Sequence, residues 1–140
     1  MPPGTPTVYV VDDDDAVRDS LLFLLDVSGL PAQGFAGVAA FLAALPKGAA
    51  GCIVTDLRMP GLDGTDLLGL LPARGIFLPV IVMTGHANAE GAARALAAGA
   101  FHFIEKPFKD VAIFDAVRAA LAVGQPDRVP SYAQRSGCSL

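Results

Sequence analysis

The segment Pro79-Val80-Ile81-Val82-Met83 carries no polar side chain at any position. A strand that is apolar on both faces must be covered on both, which is the situation of a strand inside a parallel sheet. Similar short runs occur at Val8-Tyr9-Val10-Val11, Cys52-Ile53-Val54-Thr55 and from Phe101 to Ile104, with a weaker one from Ala32 to Phe35. Helical periods lie between them. Val17, Leu21, Leu24 and Leu25 share one face of a first helix, which Gly29 stops. Val38, Phe41, Leu42 and Leu45 follow the i, i+3, i+4, i+7 spacing of a second, closed by Pro46. Leu67, Leu68 and Leu71 mark a third, an alanine-rich stretch from about Asn88 to Ala98 a fourth, and Asp110 can cap a fifth with Ile113, Phe114, Val117 and Leu121 inward. Five strands alternating with five helices predict an α/β fold, a parallel sheet with helices on both faces. Right-handed crossovers leave few ways to wind such a sheet. Ligands then bind beyond the carboxyl ends of the strands.

A chain of 140 residues suits one domain with a real core. From Gly124 the pattern stops, and 125–140 is rich in Pro, Ser, Gly and polar residues. The expected organisation is a folded domain over 7–122 and a polar tail over 123–140, with no second domain. No apolar run approaches the roughly 18 residues of a membrane span, and no signal peptide opens the chain, so a cytoplasmic location is expected. The net charge of −4 and the lack of a basic stripe argue against direct nucleic-acid binding. The two cysteines do not suggest a disulfide framework: Cys52 lies in a core strand and Cys138 in the tail.

Reading the strand ends in order gives Asp12 and Asp13, then Asp56, then Thr84, then Lys106-Pro107. In the expected fold all of them meet at one edge of the sheet. Three carboxylates there repel one another unless something offsets the charge, and a hard divalent cation with oxygen ligands does so. A carboxylate can also act as a nucleophile and form an acyl phosphate. Phosphoryl transfer needs little beyond positioning and neutralisation of charge on the equatorial oxygens. A metal covers one side, the Lys106 ammonium another, and the Thr84 hydroxyl can donate to a third.

Singly, each residue has a simpler role. Acids such as Asp12 to Asp15 favour a helix start, and Asp14 and Asp15 are placed in that class. Asp56 alone is a turn residue, Thr84 a strand-end hydroxyl and Lys106 a surface lysine. Their coincidence at consecutive strand ends carries the argument.

The wording of these stretches is also distinctive: Val10-Val11-Asp12-Asp13, Thr55-Asp56-Leu57-Arg58-Met59-Pro60, Gly64, Met83-Thr84-Gly85-His86, Gly99-Ala100, and Phe103-Ile104-Glu105-Lys106-Pro107-Phe108. Together they resemble the CheY-like receiver domains of two-component response regulators, most of all the FixJ-type subfamily. The resemblance implies a flavodoxin-like (βα)5 doubly wound sheet with strand order 2-1-3-4-5. It implies that Asp56 is the phosphoacceptor, and that Asp12, Asp13, Asp56 and the backbone carbonyl of Arg58 bind Mg²⁺, for which Mn²⁺ can substitute. Thr84 would bond the phosphoryl group, Phe103 would change rotamer with it, and Lys106 would pair with Asp56 before loading and with the phosphoryl group after. The Lys106-Pro107 bond would be cis. His86 and His102 are read as surface residues rather than ligands.

The resemblance further implies a histidine kinase or phosphotransfer protein as donor. The output would be a downstream protein effector or a self-dimer, through the face of the fourth helix, fifth strand and fifth helix. FixJ-type regulators normally continue into a DNA-binding domain; the polar tail over 123–140 is not expected to supply one. On this reading the chain is a switch rather than an enzyme. The competing enzyme reading is a phosphatase of the haloacid-dehalogenase class, for which Asp13, Asp15 and Val17 match the nucleophile motif loosely. Such enzymes need a further acidic pair near a late strand, and none follows Lys106. A third reading is a receiver that is never phosphorylated, against which the full acidic set argues.

Overall fold

Alternation along the strands divides the core into two layers. The computed structural model describes residues 6–45, 48–85 and 89–123. Its elements are β1 (Pro6–Val11), α1 (Asp15–Val27), β2 (Ala32–Phe35), α2 (Val38–Ala44), β3 (Ala50–Asp56), α3 (Gly64–Ala73), β4 (Val80–Thr84), α4 (Ala89–Ala97), β5 (His102–Glu105) and α5 (Asp110–Val123). All strand pairs are parallel and the order is β2-β1-β3-β4-β5, the doubly wound arrangement that the resemblance implies. Val8, Val10, Cys52, Val54, Ile81 and Met83 face α1 and α5, where they meet Leu21, Leu25, Ile113 and Val117. The intervening Tyr9, Val11, Ile53, Val80 and Val82 face α2, α3 and α4, where they meet Phe41, Leu67, Leu71 and Ala95. This is the period of two that a strand imposes, with both of its faces buried. Phe41 has no solvent exposure, and its ring lies 5.5 Å from those of Tyr9 and Phe35. Truncating it to alanine costs about 3–5 kcal/mol.

Local signals set the element ends. Asp14 caps α1 by accepting from the Ala16 and Val17 amides, and Ser28 Oγ closes that helix on Leu24 O at 2.9 Å before Gly29 turns at φ +75°. Asp63 and Asp66 form a reciprocal capping box at the start of α3. Gly51 in β3 is held at φ +126°, and a Cβ there would stand 1.9 Å from Thr7 O. Only glycine lets β3 lie against β1 at that point.

Two expectations are corrected. The fifth strand runs from His102 to Glu105 instead of starting at Phe101. Its register with β4 runs from Ile81–His102 to Thr84–Glu105, and Phe101 instead donates its N–H to Val80 O at 2.8 Å just ahead of the strand. Asp110 does not cap α5 but is its first residue, and the Lys109 carbonyl accepts from the Ala112 and Ile113 amides. The buried face of α5 is Ile113, Ala116, Val117 and Ala120, while Phe114 and Leu121 are only half-buried. Alanines at two of the four inward positions let the helix approach the sheet closely, which leaves the larger side chains at the margin. The expectations placed on Pro46, His86, Asn88, Cys138 and residues 124–140 lie outside the described residues. Among the described residues no helix is long and apolar enough to cross a membrane.

Candidate functional site

Two neighbouring strands deliver the central acids. The β1–β3 register pairs Val11 with Thr55, so the next residues, Asp12 and Asp56, reach the sheet edge side by side. Asp13 follows in the turn to α1. Oxygens of Asp12, Asp13 and Asp56 all lie within 4.8 Å of one another. That span is about twice a metal–oxygen distance of 2.0–2.6 Å, so the three oxygens fit around one hard cation.

Asp12 is completely buried, and each of its polar groups has a partner. Its N–H donates to Phe35 O at 3.0 Å, and its carbonyl accepts from Arg18 Nη1 at 2.8 Å. Oδ1 accepts from the Asp14 amide at 2.9 Å, and Oδ2 faces Lys106 Nζ at 3.4 Å. The same Nζ lies 3.5 Å from Asp56 Oδ1. One ammonium therefore bridges the two carboxylates. Lys106 reaches this place because its own N–H donates to Thr84 O at 2.7 Å, which extends the β4–β5 ladder by one step. The Lys106-Pro107 bond is cis.

Burial pushes the Asp56 carboxyl above the ordinary carboxylate range; the Lys106 ammonium opposes this, and the charge of Asp12 adds to it. The side chain keeps 17% of its surface open. Asp56 is thus the member of the bridged pair that an incoming group can reach.

Lys106 contacts Asp12 and Asp56 directly, and Asp13 completes the acidic group beside them. The other candidates stand around them. Thr84 ends β4 and is buried, one step beyond Met83, which is the register partner of Asp56. Arg58 is exposed in the turn after β3. Phe103 is half-buried on β5 beside the α2–α3–α4 core layer, with its ring 6.2 Å from that of His102, which is exposed. Asp15 is not in the acidic group. It is ion-paired with Arg18, and its side chain is 82% exposed.

Three features went unassigned in the sequence. The bridge from Lys106 to Asp12, as well as to Asp56, follows from the strand register, which sequence alone does not supply. Arg18 resembles any polar residue on the outer face of an amphipathic helix. Gly64 approaches the backbone so closely that a Cβ would stand 2.7 Å from Asp56 O. Its place among the distinctive stretches of the sequence, where it was given no role, was the available signal.

Comparison with known proteins gives a consistent picture. The family model for the response regulator receiver domain matches residues 8–118. The transcriptional regulatory protein FixJ of Azorhizobium caulinodans is 54% identical over 121 residues, covering 86% of this chain and 57% of that protein. The chain thus spans little more than half the length of this relative. Full-length FixJ from B. japonicum superposes with a TM-score of 0.81 at 43% identity, covering 88% of this chain and 61% of that one. The structure described as FixJ-N superposes at 0.78 with 44% identity, covering 83% and 93% respectively. With this match over most of its length, and with an acidic trio at the strand ends, two of whose members share one lysine, the chain belongs to the response regulator receiver domain family, and its similarity is to the FixJ type.

Proposed function

We propose that this domain is a phosphorylation-dependent signalling switch of a two-component system, and that Asp56 is its phosphoacceptor. The observation that carries this is the placement of Lys106 Nζ between Asp12 and Asp56, 3.4 Å from one carboxylate and 3.5 Å from the other. An ammonium there offsets two acids before loading and stands where phosphoryl oxygens would arrive. An Asp56 oxygen bonds to phosphorus as the bond between phosphorus and the donor breaks, leaving an acyl phosphate. The donor is a histidine kinase or a phosphotransfer protein.

Asp12, Asp13 and Asp56, with the Arg58 carbonyl, would hold Mg²⁺, for which Mn²⁺ can substitute; when bound, the cation neutralises charge on the transferring phosphoryl oxygens. Asp12, held on every side, keeps its carboxylate fixed for that purpose. The Thr84 hydroxyl donates to a phosphoryl oxygen, and Phe103 changes rotamer in response. The switch domain spans 7–122. Its signal leaves through the face of α4, β5 and α5, to an effector protein or a second copy, as a shift between two pre-existing arrangements. The setting is the cytoplasm.

The test is incubation with acetyl phosphate and Mg²⁺, followed by intact-mass measurement. The wild-type domain gains one phosphoryl group, EDTA prevents the gain, and Asp56→Asn does not gain it. Equal labelling of Asp56→Asn would overturn the assignment.

A further inference from the structure

Arg18 lies on α1, outside the acidic trio, yet its side chain is only 17% exposed. Its Nη1 donates to the carbonyl oxygen of Asp12 at 2.8 Å, and its Nη2 is paired with Asp15. The carbonyl it holds is unusual in its situation. β1 ends at Val11, one residue before this carbonyl, and Asp12 is completely buried, away from water. A buried carbonyl without a donor costs free energy, and Arg18 supplies one. The stem of Arg18 has a prepared seat. Gly34 of β2 has no side chain, and a Cβ there would stand 3.1 Å from Arg18 Cδ and 2.7 Å from Leu22 Cδ1.

The carbonyl of Asp12 belongs to the planar peptide group that leads into Asp13. Holding that oxygen fixes the plane, and with it the direction in which the Asp13 chain leaves. The other side of Asp12 is already fixed by its N–H on Phe35 O. We infer that Arg18 is a positioning residue for the cation site, acting through the Asp12 carbonyl to set the carboxylates of Asp12 and Asp13. This rests on the cation-binding reading of the trio.

The sign of the effect separates this role from simple electrostatics. Arg18 is a cation near a cation site. By charge alone, removing it strengthens Mg²⁺ binding. By positioning, removing it weakens binding, as loss of groups that orient metal ligands does.

The experiment uses Arg18→Met, which keeps an apolar stem over Gly34 but has no donor, and Arg18→Lys, which restores one. Calorimetric titration with Mg²⁺ should show Arg18→Met weakened about tenfold or more, with Arg18→Lys lying between it and wild type. A second measurement needs no metal. In EDTA, hydrogen exchange at the Asp14 amide, which donates to Asp12 Oδ1, should be faster in Arg18→Met than in wild type. If Arg18→Met binds Mg²⁺ as tightly as wild type or more tightly, with unchanged Asp14 exchange, the inference is wrong. If wild type itself binds no Mg²⁺, the cation reading fails instead, and unaltered exchange in EDTA still decides against Arg18 as a holder of the Asp12 loop.

Discussion

Asp12 has no surface open to solvent, while Asp56, its neighbour one strand away, keeps 17% of its side chain exposed. The two carboxylates share one ammonium but stand in different environments. The buried one is pinned by Phe35, Arg18, Asp14 and Lys106 and is suited to hold an ion. The open one is suited to meet a phosphoryl donor.

The raised proton affinity of Asp56 makes it a cost to the metal-free fold. A carboxyl whose folded pKa lies above its unfolded value of about 3.9 contributes stability below that pH and loses it as pH rises through the folded pKa. At neutral pH the ionised group therefore destabilises. Asp56→Asn should melt higher than wild type at pH 7 in EDTA. The gap should close as pH falls below about 4, where both carry a neutral side chain. A thermal melt series over pH checks both the sign and the window.

Lys106 works in the opposite sense. Replacing it by Met leaves Asp12 buried beside Asp56 with no bridging cation, and should cost about 1–3 kcal/mol at pH 7 in EDTA. Mg²⁺ should then raise the melting temperature of Lys106→Met by more than it raises that of wild type, because no ammonium competes for the acids. An equal Mg²⁺ increment in the two proteins would show that Lys106 does not share the cation's place.

Gly64 couples the start of α3 to Asp56. A Cβ there would stand 2.7 Å from Asp56 O and 3.1 Å from Leu57 Cα, both backbone atoms that cannot rotate away. Gly64→Ala should lose about 1–3 kcal/mol and be labelled more slowly by acetyl phosphate than wild type. Gly69→Ala, in the same helix with open space around it, should do neither. Chemical denaturation and labelling time courses on the two variants make the comparison.

The site was legible where an apolar run ends in acid. Val10-Val11-Asp12-Asp13 and Ile53-Val54-Thr55-Asp56 declare both a strand and its polar end, so the parallel sheet and the meeting of the acids could be read together. Asp14 and Asp15 were also readable as helix-start residues, because their side chains act locally. Misplaced features depended on fit between elements. Ala116 and Ala120 are the inward residues of α5, yet reading by size chose Phe114 and Leu121. The one-residue offset of β5 is set by its register with β4, which lies in no local pattern. Arg18 and Gly34 have meaning only as a pair brought together by α1 packing on β2.

The central claim is that the phosphoryl group is carried by Asp56 and by no other acid of the trio. Borohydride reduction converts an aspartyl phosphate to homoserine, and peptide mass spectrometry then locates it. After loading with acetyl phosphate and Mg²⁺, homoserine should appear at position 56, with Asp12 and Asp13 intact. Homoserine at position 12 or 13, or at none of the three in a protein that has gained a phosphoryl group, would contradict the account.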